Sequence, residues 1–139
     1  MNYIKTDNIY VVRLDIGDEI LSSLTQLCNA ENICTAAVQG IGAVDNVTVG
    51  FYSTEEKKYF SKTFNQQFEI VSLNGNVTRK DDEPYLHLHI ALSDGNYNVC
   101  GGHLNSAVVS VTAEIFITVL SETVSRKVNS ETKLNIFDI

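Results

Sequence analysis

From Asn105 to Leu120 the chain runs NSAVVSVTAEIFITVL, and Val109, Val111, Ala113, Ile115, Ile117 and Val119 all fall on one parity. Side chains two apart project to the same side of a strand, so this run predicts a long strand with one apolar face. A face of that length needs cover. Helical spacing occurs near the start of the chain. There Ile20, Leu21, Leu24, Leu27 and Cys28 predict an amphipathic helix over Asp18–Ala30, capped by Asp18 or its neighbour.

The remainder reads as strand and turn. Ile9–Leu14, Thr35–Val38, Val47–Tyr52, Phe68–Leu73, Tyr85–Leu92 and Lys133–Phe137 are rich in β-branched or aromatic residues or alternate in polarity. Gly40-Ile41-Gly42 reads as a turn, Asn74-Gly75-Asn76 as a turn or bulge, and the polar Ser121–Ser130 as a loop. One main helix with about seven or eight strands predicts an α+β fold built on a mainly antiparallel sheet. At this length one domain, 1–139, is expected. A single short helix covers only part of such a sheet, so association with further copies is the simplest way to bury the rest.

Composition narrows the partners. The formal charge is −7, and the basic residues are scattered in pairs such as Lys57-Lys58 and Arg126-Lys127. A broad electrostatic grip on nucleic acid needs clustered Lys and Arg, so DNA binding is disfavoured. No apolar run approaches the length that spans a bilayer, and the opening MNYIKTDNIYVVRLD lacks the basic-then-apolar pattern of a secretory signal. A cytoplasmic protein is expected, with Cys28, Cys34 and Cys100 as reduced thiols.

All three histidines of the chain lie in YLHLHIALSDGNYNVCGGHL, residues 85–104. His87 and His89 share one face of a predicted strand, opposite Leu86, Leu88 and Ile90. Ser93–Asn96 signals a hairpin. A three-residue loop, Asp94–Asn96, sets His103 directly across from His87, on the same face. A two-residue loop turns it away unless a bulge at Gly101-Gly102 restores the parity. Three converging neutral imidazoles form a candidate site for a divalent metal, zinc above all, with a fourth position open. A hydrogen-bonded polar cluster inside an oligomer is the alternative. Cys100 has the opposite parity and is not expected to ligate. Glu114, Asp94 and Glu83 are candidate bases or supporting partners, and no spacing selects among them.

These stretches also carry a resemblance. His87–Gly95 (HLHIALSDG), Cys100–Leu104 (CGGHL), Val109–Ile117 with Glu114, Gly40–Thr48 (GIGAVDNVT) and Phe68–Gly75 (FEIVSLNG) resemble the PPC domain, the plants and prokaryotes conserved domain. The resemblance implies an α+β fold with an antiparallel sheet and a homotrimer as the usual assembly. It implies that His87, His89 and His103 match positions that bind a zinc-like ion in some prokaryotic members. In plants the domain follows AT-hook DNA-binding motifs, and stand-alone prokaryotic members are called DNA-binding by that analogy. This chain resembles the stand-alone type, without an AT-hook. Metal-dependent hydrolysis of a small substrate is a further function that an open three-histidine site implies.

Overall fold

A computed structural model describes residues 1–139. Its elements are β1 (Asn2–Thr6), β2 (Ile9–Asp15), α1 (Ile20–Ala30), β3 (Ala36–Ser53), β4 (Lys58–Lys80), β5 (Glu83–Ser93), β6 (Val99–Val119), β7 (Ser125–Val128) and β8 (Asn135–Asp138). All strands join one sheet, and the pairings are antiparallel except for a short parallel contact between β4 and β7. The fold is α+β, as expected. No helix is long and apolar enough to cross a membrane.

The sheet closes on itself. β3 pairs with β4 and β6, and β5 also pairs with β4 and β6, so β3–β4–β5–β6 forms a hydrogen-bonded circuit. β2 and β1 extend the sheet beyond β6. α1 packs on β5 and β6. Its buried residues Ile20, Leu24, Leu27 and Cys28 form one helical stripe, the spacing read from the sequence. They meet Leu88, Ile90, Leu92, Val109, Ala113, Ile115 and Ile117 in a single core.

The helix begins two residues later than expected, with Glu19 as its cap. The Glu19 carboxylate accepts from the amides of Leu21 at 3.1 Å and Ser22 at 2.7 Å, and also from the Ala107 amide at 3.1 Å. One carboxylate therefore satisfies the helix start and fastens it to β6. Asp18 instead accepts from the Asp15 amide. Glu19→Ala is expected to lower unfolding free energy by about 2 kcal/mol, because charge-assisted bonds are lost and amides are left unpaired. Urea denaturation measures it, and the slope should not change.

Several expected turns are not turns. Asn74-Gly75-Asn76 lies inside a continuous β4. Gly75 faces Leu88 across the ladder, and a Cβ there would strike the carbonyl of His87. The glycine permits close approach of two backbones. Gly40–Gly42 likewise sits inside β3, marking a register shift rather than a reversal. The Ser121–Ser130 segment, expected as a loop, contains β7. Val111 was expected with the buried parity, yet is 64% exposed. The β3–β6 ladder jumps from Gly42↔Ala113 to Val44↔Val109, so β6 arches over Ser110–Thr112 and turns Val111 outward.

Candidate metal centre

β5 places His87 and His89 on its outer face while Leu88, Ile90 and Leu92 enter the core. The strand alternation alone produces this division. The hairpin register differs in detail from expectation. The connection is five residues, Asp94–Asn98, and His103 pairs with His89 rather than His87. Asp94 organises the turn: one carboxylate oxygen accepts from the amides of Asn96 and Asn98, both at 2.9 Å. Two more residues than the three-residue loop leave the parity unchanged, so His103 still shares the face of His87 and His89. No bulge occurs at Gly101-Gly102 in this ladder. Cys100 packs toward the core, away from the imidazoles.

The three rings converge. Centroid separations are 5.3 Å for His87–His89, 5.1 Å for His87–His103 and 5.5 Å for His89–His103. One potential ligand atom from each ring lies within 4.8 Å of the other two. A tetrahedral ion with bonds of about 2.0–2.1 Å holds its nitrogens at roughly 3.4 Å. An ion held by all three would require the donor atoms to sit at about that spacing, inside the 4.8 Å that bounds them here. The donor set fits a divalent ion that accepts imidazole.

Electrostatics favour ligation. Burial, then the neighbouring His103, Arg126 and His89, push the His87 imidazole down to about 4. Burial and His89 push His103 down as well. Both rings are neutral near pH 7 and present lone pairs. The metal-free protein should therefore lose stability as pH falls from 6.5 to about 4. Across that window the unfolded chain takes up a proton that the folded His87 refuses. Urea midpoints measured with chelator should show this loss, and His87→Asn should reduce it.

Further residues surround the cluster. The cavity above the rings has a volume of about 530 Å³. Tyr59 and Tyr85 line it, together with Leu134, Asn135 and Ile136. The Tyr59 hydroxyl donates to the Asn105 side-chain oxygen at 2.8 Å, and its ring meets His103 edge-on at 6.2 Å. Tyr59 reaches this position because Gly50 lies beneath it; a Cβ at Gly50 would coincide with the phenol oxygen. The Asn135 amide donates to the Tyr85 hydroxyl at 3.3 Å. Tyr85 has the parity of His87 and His89, and that signal was present in the sequence. Tyr59, Asn135 and Arg126 come from distant segments and carried none. Glu114, Asp94 and Glu83 do not line this cavity; Glu114 lies in clefts elsewhere on the sheet beside Phe116.

Comparison with known proteins agrees with this architecture. A candidate DNA-binding protein from Bacteroides thetaiotaomicron is 36% identical, with a TM-score of 0.96 over 99% of this chain and 96% of its own. A metal-containing protein from Archaeoglobus fulgidus is 35% identical, with a TM-score of 0.87 over 96% of this chain and 94% of its own. A plant- and prokaryote-conserved (PPC) protein from Pyrococcus horikoshii is 30% identical, with a TM-score of 0.86 over 99% and 94%. No curated protein matches the sequence. The model of the Plants and Prokaryotes Conserved (PCC) domain matches residues 1–121, and the chain belongs to that family.

Proposed function

We propose that this chain is a single-domain, homotrimeric metal-binding protein of the cytoplasm, holding a zinc-like divalent ion through His87, His89 and His103. The observation that carries this reading is convergence: the chain has three histidines, and all three present donor atoms to one point. A metal-containing relative at 35% identity supports it. Three imidazole ligands leave a coordination position open, and an ion there supplies Lewis-acid chemistry to whatever binds. No carboxylate lines the cavity, so a hydrolytic reaction would have no carboxylate base among its walls.

The trimer is supported by apolar side chains left bare at one end of a cross-strand row on the outer face of the sheet. Cross-strand partners run Ile4, Val11, Phe116, Gln39, Asn74, His89, His103, each directly beside the next. Ile4 is 67% exposed and Phe116 44% exposed, with Ile41 and Val71 also bare nearby. An apolar surface of this kind on a small domain calls for a partner. The free thiols Cys28, Cys34 and Cys100 suit a reducing compartment.

The DNA-associated reading draws on the candidate role of the Bacteroides relative. The −7 charge opposes it. Elemental analysis separates the two. Protein purified without chelator and reloaded with equimolar zinc should retain about one ion per chain, and should not retard duplex DNA at physiological salt. Protein that holds no zinc but shifts DNA would overturn the proposal.

A further inference from the structure

The cavity over the histidines is only partly built by the matched domain. That match ends at residue 121, and the wall formed by Leu134, Asn135 and Ile136 lies beyond it. This wall belongs to the β7–β8 hairpin, whose position rests on Arg126. The Arg126 guanidinium donates to Thr78 Oγ1 at 2.7 Å, Asn76 Oδ1 at 2.7 Å and the Asn135 carbonyl at 2.9 Å. It also stacks on Tyr85 at 4.5 Å and Phe137 at 4.8 Å. The bonds to Thr78 and Asn76 and the Tyr85 stack tie the hairpin to β4 and β5, while the Asn135 bond and the Phe137 stack brace β7 against β8, before any ligand arrives.

The chemistry of the walls is one-sided. The cavity is lined by aromatic, aliphatic, glycine, asparagine and histidine residues, with neither Asp nor Glu among them. Neutral imidazoles do not compensate a divalent ion, so the loaded site keeps its full positive charge. The fixed charge that stacks on the wall residue Tyr85, Arg126, is positive too. A volume of about 530 Å³ falls in the range of small-molecule sites. Such a site favours a ligand with one anionic oxygen for the metal and an apolar body for the walls.

Resting on the metal reading above, we propose that the β7–β8 hairpin is the specificity wall of the three-histidine pocket, and that the pocket takes a small organic carboxylate. The anionic oxygen meets the open metal position. The apolar body lies between Tyr59 and Tyr85 on one side and Leu134 and Ile136 on the other. Arg126 is a positioning residue that holds the wall and does not touch the ligand.

The test uses the zinc-loaded full chain with benzoate and its neutral isostere benzamide, titrated calorimetrically, with zinc content measured on each sample. Benzoate should bind at about 0.5 mM or tighter, the affinity of a compact ligand of modest efficiency. Benzamide should bind at least about tenfold more weakly, since it brings no charge to the metal. Ile136→Glu sets a carboxylate in the wall and should weaken benzoate at least about tenfold by like-charge repulsion, with zinc content unchanged. Ile136→Gln, its neutral match, loses the apolar contact but brings no charge, and should weaken benzoate about threefold, well short of the loss in Ile136→Glu. Zinc-loaded protein that ignores benzoate, binds both probes equally, or keeps parental benzoate affinity in Ile136→Glu overturns this inference and leaves the metal reading standing. Protein that holds no zinc overturns both.

Discussion

Replacing His103 with alanine is expected to abolish stoichiometric zinc while leaving the fold intact. The ring stands on the outer face of β6, where it meets Tyr59 and the other two imidazoles rather than the core. Truncation there removes a donor without opening a core cavity. Loss of an outer partner of a metal ligand already costs about 10–100-fold in affinity, so loss of a direct ligand costs at least about a hundredfold. Two measurements distinguish this from general damage. Zinc per chain by elemental analysis should fall to background in His103→Ala, as in His89→Ala. The stabilisation that zinc confers on the parent should vanish as well. An ion present at a thousand times its dissociation constant adds about 4 kcal/mol to the folded state, so the parent should melt at a higher temperature with zinc and the variant should not respond. Retention of tight zinc by the variant would remove the three-histidine centre from consideration.

Phe116→Glu is expected to dissolve the proposed trimer. Phe116 sits mid-row between Val11 and Gln39 and is 44% exposed in the single chain. A copy seated there would bury it, and a carboxylate in its place would be desolvated without a partner. Such a buried, unpaired charge costs about 3–5 kcal/mol, or more than a hundredfold in association. Light scattering on the eluting protein should report three times the 15.4 kDa chain for the parent and one chain for the variant. Circular dichroism should be unchanged, because the core side of β6 is untouched. An unaltered mass would move the interface to another surface. A parent that already elutes as one chain would remove the trimer itself.

Much of this architecture was legible from periodicity. The helix followed from Ile20, Leu24, Leu27 and Cys28, and the inward face of β6 from Val109, Ala113, Ile115 and Ile117. The imidazole face of β5 followed from period two alone. Parity carried the site even where register did not: His103 lies opposite His89 rather than His87, and the rings still meet. What was hidden depended on distant pairing. Gly75 and Gly40–Gly42 look like turn signals locally, yet they are places where another backbone comes close. The segment around Arg126 looks like solvated loop, because the groups that order it, Thr78, Asn76 and Tyr85, lie about forty to fifty positions earlier. Tyr59 is an ordinary strand tyrosine until Gly50 and Asn105 are brought beside it.

The cross-strand row from Ile4 to His103 constrains how such a chain tolerates insertions and deletions. Its members come from β1, β2, β6, β3, β4 and β5, and each neighbour is set by a separate ladder. Adding or removing one residue within β3 or β4 between these positions would turn Gln39 or Asn74 to the opposite side and sever the bare apolar end from the imidazole end. Length variation is thereby confined to the connections, such as Thr54–Lys57, Asp94–Asn98 and the stretch before β8, where the backbone gains or loses residues without shifting any ladder.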